Sequence, residues 1–260
     1  MTLQVIDAHL HIWDPDTQDL PWLAGLPALR NRYTIDDLAA HYAAQHDVEF
    51  LGGVYVEVDA ADPLLEDRLL YENTSPLILR RVMRTRVSPY MRIPVIADGI
   101  REPLHVASEP RGRVGEKGFL DGLRILAELG LPFDLCNRGD ELPDMAQALA
   151  AVPEETVVID HLGNMPGLDE ASKQAMRALG ELPNVYVKVS GDNPVDPHVV
   201  EFVREAFGPG KLMYASNWPV VELNSSFDAH FSLMRDLFGD DEDFFMRNAC
   251  RAYGIDMPQR

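Results

Sequence analysis

The feature that most constrains this chain is an alternation of short apolar runs with longer amphipathic segments along its 260 residues. Runs of strand length and composition lie at 3–8, 51–58, 92–101, 131–136, 156–161, 184–189 and 211–216, with a less regular run, interrupted by arginines, at 77–88. Segments of helical periodicity lie at 34–46, 63–73, 116–130, 140–152, 169–182, 196–207, 226–238 and 241–253. Eight strands alternating with eight helices predict an α/β protein whose parallel sheet closes into a (β/α)8, or TIM, barrel. We expect this barrel to be a single domain over residues 1–260.

Residues that start and stop helices support these boundaries. Thr34 and Asp196 have side chains that favour the position before a helix, and Pro197 suits a first helical turn. Gly130 lies where a helix is expected to end. The segment 74–100 fits the pattern least well, because it is long and interrupted by prolines. It holds either a regular strand–helix unit or a strand followed by a loop.

The charge balance limits the partners of the protein. Lys and Arg total 23 against 42 Asp and Glu, which gives a net charge of −19. Nucleic acids and anionic membranes are bound by basic patches, so we expect neither partner. We expect a small-molecule substrate and a monomer or homodimer. The two cysteines, Cys136 and Cys250, make no disulfide framework, and the first residues lack a signal-peptide pattern, so we expect a cytoplasmic location.

Polar and ionisable side chains follow the predicted strands, at the end of a barrel where active sites lie. His9 and His11 end the first run, and both imidazoles leave it on one face because side chains alternate along a strand. Neutral imidazole is the commonest side-chain metal ligand and titrates near neutral pH. Later runs end in, or lead into, Arg101, His105, Arg138, His161, Lys188 and Asn217. Together these residues predict a catalytic pocket.

Four strand-end motifs resemble those of the amidohydrolase-2 family, within the amidohydrolase superfamily. They are Ile6-Asp7-Ala8-His9-Leu10-His11-Ile12-Trp13-Asp14, Asp160-His161-Leu162-Gly163-Asn164, Lys188-Val189-Ser190-Gly191 and Ser216-Asn217-Trp218-Pro219-Val220. The likeness covers almost the whole chain and is nearest to the sugar-lactonase branch, which includes L-fuconolactonase-like and L-rhamnono-lactonase-like enzymes. It implies a hydrolase that opens a lactone, a cyclic ester, of a sugar acid or a related carboxylic acid by attack of water.

One residue departs from the family pattern. The family usually has Ser-Asp-Trp-Pro after strand eight, where the Asp is a general base or metal ligand, but residue 217 is Asn here. An amide has no proton affinity near neutral pH, and the loss of a general base removes about 10²–10⁴ in rate. Three explanations stay open: a variant with a relocated base, a catalytically impaired relative, or an engineered Asp→Asn substitution.

The resemblance also bears on a metal cofactor. Binuclear members of the superfamily take a His from strand five, and residues 131–138 contain none, so a site here holds at most one ion. Its implied ligands are His9, His11, His161 and Asn217, and Zn²⁺ suits three imidazoles with an open position. Members of this branch differ in their need for metal, so activity without a metal ion stays open too.

Lactone hydrolysis needs a water nucleophile, a group that polarises the carbonyl and donors for the developing oxyanion. We assign polarisation to His9 and His11, directly or through a metal ion, and proton transfer to His161 or His105. Arg101 would hold a carboxylate or ring oxygen. Substrate contact or support of the pocket is assigned to Trp13, Trp22, Arg30, Arg32, Glu57, Arg138, Lys188 and Trp218. Each has a plainer interpretation, since arginines form surface ion pairs, tryptophans fill cores, and a lysine in an apolar strand forms a buried ion pair.

Two other functions stay open. Asn217 motivates a catalytically weak barrel that binds a sugar acid without turning it over. A metal-dependent decarboxylase would use the same strand-end histidines, and it would release carbon dioxide, whereas lactone opening releases no gas.

Overall fold

The predicted barrel is present in the computed structural model, which describes residues 2–191 and 194–256. Within those residues, eight parallel strands follow one another around the sheet in chain order. They are β1 (Leu3–Leu10), β2 (Val48–Val56), β3 (Ile78–Arg84), β4 (Gly99–Pro103), β5 (Phe133–Cys136), β6 (Val157–Ile159), β7 (Val185–Val189) and β8 (Leu212–Tyr214). The prediction of a (β/α)8 architecture is confirmed.

The barrel closes where the segment that follows β8 meets β1. Leu10 and Trp218 form a parallel bridge there. The backbone N–H of His11 donates to the Trp218 carbonyl oxygen at 2.8 Å, and that of Asn217 donates to the His9 carbonyl oxygen at 2.9 Å. Two candidate histidines and Asn217 therefore lie on the seam that closes the barrel.

Eight α-helices accompany these strands in the described residues. They are α1 (Ile35–Ala43), α2 (Pro63–Glu72), α3 (Lys117–Leu129), α4 (Leu142–Leu149), α5 (Glu170–Glu181), α6 (Pro197–Phe207), α7 (Phe227–Phe238) and α8 (Asn248–Tyr253). The start signals act as predicted, because Thr34 forms a capping box with Asp37 and the Asp196 carboxylate accepts from the His198 N–H. Among the helices described here, none is long and apolar enough to cross a membrane.

The connection between β3 and β4 departs from the predicted alternation. Residues 85–98 form a loop without a helix, and both α7 and α8 follow β8. The apolar run at 92–101 becomes a strand only from Gly99, because Pro94 interrupts it and lacks the N–H that pairs in a ladder. The expectation of a full strand at 92–101 and a helix after every strand is wrong, and the alternative of a strand followed by a loop is confirmed for 74–100.

Buried apolar side chains form two clusters. The larger one joins strand residues such as Tyr55 and Leu135 to residues of the helices. The smaller one contains alternate strand residues such as Val54 and Val158 together with residues of α8. Since successive side chains on a strand point to opposite faces, the smaller cluster fills the interior of the barrel.

Candidate active site

A network of buried charged side chains lies on the inward face of the strands, inside the barrel. The ammonium of Lys188 in β7 contacts the carboxylates of Asp134 in β5 and Asp160 after β6, the latter at 2.9 Å, and all three side chains are fully buried. The Tyr253 hydroxyl donates to Asp134 at 2.8 Å. Burial raises the pKa of Asp160, but Lys188 and His9 lower it more, so the net pKa lies well below the usual value and the group stays ionised. Lys188 thus forms the buried ion pair of the plainer interpretation.

The paired histidines at the end of β1 face each other, with 3.0 Å between their Nε2 atoms. His11 Nδ1 lies 2.8 Å from the Val56 carbonyl oxygen. Because a carbonyl oxygen only accepts, Nδ1 carries the proton and Nε2 carries a lone pair. Burial lowers the pKa of both imidazoles, in His11 to about 3. Both rings are therefore neutral at neutral pH, which is the form that binds a metal ion.

His161 approaches this pair from the loop after β6. Its ring centroid lies 4.6 Å from that of His9, and its Nδ1 lies 2.8 Å from the Ser190 hydroxyl oxygen. His161, Leu162 and Asn164 all have positive φ, at 52°, 53° and 52°. Such a conformation costs about 1–3 kcal/mol for a residue other than glycine, and strain of this kind is typical of functional sites. The strained turn directs this imidazole toward the histidines of β1.

Asn217 follows β8 in a left-handed conformation, with φ 53°, which asparagine adopts more readily than most residues. Its side-chain amide nitrogen lies 3.4 Å from the Gly191 carbonyl oxygen. Together with the hydrogen bond to the His9 carbonyl, this contact fixes residue 217 beside the seam of the barrel. The structure therefore brings Asn217 and the three histidines to the same end of the barrel.

A cavity of about 210 Å³ lies at the carboxyl ends of the strands. Its polar wall is formed by His11, Glu57, Asp59, Arg101, His105, Cys136, His161, Asn164 and Asn217. Its apolar wall is formed by Trp22, Leu26, Val58, Val106, Val220 and Leu223. His9 is fully buried and supports the cavity from behind His11 and His161. The cavity suits a small ligand with one polar and one apolar side.

Arg101 supplies a positive charge to the polar wall. Its guanidinium lies 2.9 Å from the Glu57 carboxylate and 3.2 Å from that of Asp160. The Asp59 N–H donates to the second oxygen of Glu57 at 2.7 Å. Two carboxylates therefore hold the guanidinium in place, and Glu57 has the supporting position expected from the sequence.

A cysteine and a histidine meet beside Arg101. Cys136 ends β5, and it lines the cavity together with His105, in the loop after β4, whose charge acts on the thiol. Burial raises the pKa of the Cys136 thiol, but His105 and Arg101 lower it more, and the net pKa lies below the usual value. The same pairing raises the pKa of His105. Both shifts act in the direction of a thiolate beside an imidazolium.

The three tryptophans assigned to the pocket have different positions. Trp22 lines the cavity and donates from Nε1 to the Val58 carbonyl oxygen at 2.8 Å. Trp13 is buried behind it, 5.4 Å between ring centroids, and Trp218 is buried on the seam. For Trp13 and Trp218 the placement favours core packing over contact with a substrate.

Three arginines and Lys188 do not line the cavity. Arg138 pairs with Glu141 at 2.8 Å. Arg32 lies 3.7 Å from Asp14, with a largely exposed side chain, and Arg30 borders a separate surface pocket. The structure places these residues in ion pairs or at the surface, and substrate contact by them stays a prediction.

Asp160 and Cys136 are residues of the site to which the sequence assigned no role. Asp160 orients His9, at 3.2 Å from its Nδ1, and Cys136 lines the cavity. The signal for Asp160 was its position directly before a strand-end histidine. Cys136 also ends a strand, but cysteine is a common apolar core residue, so its type gave no indication of chemistry.

The donor set fits one divalent cation. In the described residues, His9, Asp160 and His161 offer possible ligand atoms within 4.8 Å of one another. The two Nε2 atoms of His9 and His11, 3.0 Å apart, match the separation that two Zn–N bonds of about 2.0–2.1 Å span. Asp160 contacts Lys188 and His9, which is the arrangement of a carboxylate that orients a ligating histidine. The structure thus groups His9, Asp160 and His161 as possible ligands and places His11 Nε2 beside His9 Nε2.

Comparison with known proteins finds relatives of this chain. The model of the amidohydrolase family matches residues 6–255. The solved structure of an amidohydrolase 2 from Bifidobacterium longum subsp. infantis is 69% identical, with a TM-score of 0.95, and the match covers 98% of this chain and 100% of that one. A crystal structure of an amidohydrolase from Burkholderia multivorans with bound zinc is 25% identical, with a TM-score of 0.83, over 97% of this chain and 100% of that one. A curated protein of that species, named L-fucono-1,5-lactonase, is 25% identical over 88% of this chain and 86% of its own length.

Proposed function

This chain belongs to the amidohydrolase family, and from that premise we propose that it hydrolyses the lactone ring of a sugar acid or a related carboxylic acid. One observation carries the proposal: His11, His161 and Arg101 line one cavity, with His9 directly behind them. The Arg101 guanidinium can polarise an ester carbonyl and stabilise the developing oxyanion, and the lone pair of His11 Nε2 suits a metal ion that would do the same. The relative named L-fucono-1,5-lactonase supports a lactone as substrate.

We also propose that His9, His11 and His161 hold one Zn²⁺ ion, with the Asn217 carbonyl as a weak fourth donor. When bound, the ion would supply Lewis-acid polarisation of the lactone carbonyl and a more acidic water. The protein's part is to fix the rings. The Val56 carbonyl accepts from His11 Nδ1, and the Asp160 carboxylate lies beside His9 Nδ1, so the Nε2 atoms stay directed toward a common point.

Hydrolysis requires two proton transfers, one from the water that attacks and one to the ring oxygen that leaves. Asn217 can perform neither, because its amide does not titrate near neutral pH. His105 is an imidazole on the cavity wall that can carry these protons, and His161 can do so only where no metal ion occupies the site. Arg101, held by Glu57 and Asp160, would bind the carbonyl oxygen and then the carboxylate that forms.

The two walls of the cavity would orient the substrate. Trp22 and its apolar neighbours offer a surface on which the C–H face of a small ring can pack. The opposite wall carries the groups that act on the ester. A lactone would therefore lie with its carbonyl toward His11 and Arg101 and its less polar face toward Trp22.

A panel of aldonolactones, measured with a pH indicator, tests the proposal. We expect hydrolysis above background by the purified protein, loss of that activity in His11→Asn, and retention in the matched control His198→Asn, whose side chain is exposed on α6. Elemental analysis should find about one zinc per chain in the unmodified protein and less in His11→Asn. If neither the protein nor its Asn217→Asp variant opens any lactone, the proposal is rejected.

The same panel separates the other functions. Tight binding of a sugar acid without turnover would favour a binding barrel, and Asn217 is the residue that would explain it. Release of carbon dioxide from an unsaturated carboxylic acid would instead identify a decarboxylase. Either result would replace lactone hydrolysis as the function of this cavity.

A further inference from the structure

We propose that Cys136 acts as a nucleophile in this cavity and carries the acyl group of the lactone as a thioester before water releases it. The inference rests on the proposed lactone hydrolysis and adds a covalent step to it. Its basis is a cluster of three side chains on the polar wall: the Cys136 thiol, the His105 imidazole and the Arg101 guanidinium.

The position of Cys136 suits attack on a bound ligand. It is the last residue of β5, it is only 1% exposed, and it is among the residues that line the cavity. By alternation along the strand it shares the inward face with Asp134. The Asn164 side-chain amide lies 3.9 Å from the sulfur, a contact that helps to fix its orientation.

The neighbours of Cys136 favour the reactive form of the thiol. The thiolate is the nucleophile, and adjacent cationic groups stabilise it. His105 and Arg101 line the same cavity as Cys136, and their charges act on its thiol. A thiolate formed in this way needs no separate general base, which matters in a site where residue 217 is Asn.

The step balances within the residues present. The Cys136 thiolate adds to the lactone carbonyl, the ring C–O bond breaks, and the leaving alkoxide takes the proton of the His105 imidazolium. This forms a thioester of the open hydroxy acid and leaves His105 neutral. Water then adds to the thioester carbonyl, His105 takes its proton, and the thiolate leaves. The products are the hydroxy acid and the original thiolate–imidazolium pair.

Cys250 provides a matched control. It lies on α8 within the inner apolar cluster, and burial raises the pKa of its thiol. It is not among the residues that line the cavity in the described part of the chain. Arg251 and Arg80 act on Cys250 as well, so what distinguishes Cys136 is its place on the cavity wall.

The test is rapid acid quench of the unmodified protein, in excess over the best lactone of the panel, followed by intact-protein mass spectrometry. We expect an adduct heavier than the protein by the mass of one whole lactone, located on the peptide that contains Cys136 and removed by neutral hydroxylamine, as a thioester is. The adduct should be absent from Cys136→Ser and Cys136→Ala and present in Cys250→Ser. Loss of Cys136 should lower kcat/KM by at least about 10²-fold without change in zinc content or Tm, and Cys250→Ser should stay near the unmodified value.

The outcomes separate this inference from the proposed function. If the unmodified protein hydrolyses lactones, gives no adduct at any quench time, and Cys136→Ala keeps most of its activity, the covalent step is overturned and lactone hydrolysis stands. If the unmodified protein opens no lactone, both proposals fail. An adduct on Cys250 or on a lysine would also overturn the role of Cys136.

Discussion

The ring orientation of single histidines in the site is fixed by neighbouring groups. These groups either can only accept a hydrogen bond or stay ionised. The Val56 carbonyl determines which nitrogen of His11 carries the proton, and the Asp160 carboxylate lies beside Nδ1 of His9. Burial keeps both imidazoles neutral because it lowers their pKa values. Two neutral rings directed at one point make a ligand pair before any ligand arrives.

The variant Asn217→Asp tests how much rate is lost because residue 217 is Asn where the family usually has Asp. A carboxylate there would act as a general base, so we expect kcat for lactone hydrolysis to rise by about 10-fold or more, within the contribution of about 10²–10⁴ that such a base makes. Initial rates over a pH series provide the measurement. Asn217→Ala is the control and should be no faster than the unmodified protein. An Asp variant that is no faster at any pH would mean that the base lies elsewhere.

Glu155 provides a test of stability against pH, away from the site. It is buried before β6, and burial, together with Glu154, raises its pKa to about 9. In the unfolded chain the pKa of a glutamate is about 4.3. Between these values the folded state holds a proton that the unfolded state releases. The free energy of unfolding is therefore not reduced by Glu155 below about pH 4, and it falls as the pH rises toward 9.

Glu155→Gln cannot ionise and should therefore raise the free energy of unfolding by on the order of 1–3 kcal/mol at about pH 8, with little change near pH 4. Urea unfolding at the two pH values measures this. The exposed neighbour provides the control Glu154→Gln, which should have a much smaller effect. An equal effect of Glu155→Gln at both pH values would contradict the raised pKa.

Position at a strand end was enough to indicate much of the candidate site from the sequence. His11, His161, Asn217, Arg101 and His105 all line the cavity, because consecutive parallel strands end on one side of a barrel. Loop residues could not be placed in this way. Arg30, Arg32 and Arg138 depend on loop paths, which no periodicity specifies, and the partners of Lys188 come from two other strands far away in the chain.

At the scale of elements, close approach between neighbouring helices adds a constraint that the hydrophobic pattern does not contain. Gly180 in α5 faces the backbone of α6, and a Cβ added there would lie 2.3 Å from the Ala206 carbonyl oxygen. Since backbone cannot move aside easily, the helices would have to separate. Glycine is needed here for space rather than for an unusual backbone conformation.

Gly180→Ala should lower the free energy of unfolding by about 1–3 kcal/mol, the usual cost of overpacking, even though alanine favours helix. Gly118→Ala in α3 is the matched control, because a Cβ there has nothing within 4 Å. We expect that variant to be neutral or more stable by up to about 1 kcal/mol. Urea titration compares the two variants, and equal stabilisation by both would contradict the close contact of α5 with α6.

The sequence predicted the elements well where a run was bounded by clear stop signals. The runs at 3–8, 131–136 and 184–189 contain or overlap β1, β5 and β7 closely. It failed between β3 and β4, because an apolar run punctuated by Pro94 has strand composition without the N–H groups of a strand. Hydrophobic pattern alone does not reveal whether a connection is helical.

In the molecule as a whole, the residues of the candidate site also take part in closing the barrel. Strand β1 and the segment after β8 are held together by hydrogen bonds of His9, His11 and Asn217, so the residues of the site also seal the barrel. The buried network of Lys188, Asp134 and Asp160 links three further strands beneath them. Changes at the residues of the seam and of this network are therefore expected to affect folding, and Tm should accompany every activity measurement.

The net charge of −19 makes a prediction for the molecule as a whole. Like charges repel in the compact state, and raising sodium chloride from about 0.01 M to 0.15 M shortens the screening length from about 30 Å to 8 Å. We expect Tm to rise, by about 2–4 °C for each kcal/mol of repulsion removed. Scanning calorimetry measures this, with a repeat near pH 5, where carboxylates begin to protonate and the gain should shrink. A fall in Tm with salt would show that surface ion pairs outweigh the repulsion.

The most direct test of the site is a crystal structure of the protein soaked with the hydroxy acid formed from the best lactone. We predict that the carboxylate lies in the cavity, about 3 Å from the Arg101 guanidinium, with the carbon chain against Trp22. A hydroxy acid bound at another surface, or a cavity closed to the ligand, would contradict the assignment of lactone hydrolysis to this end of the barrel.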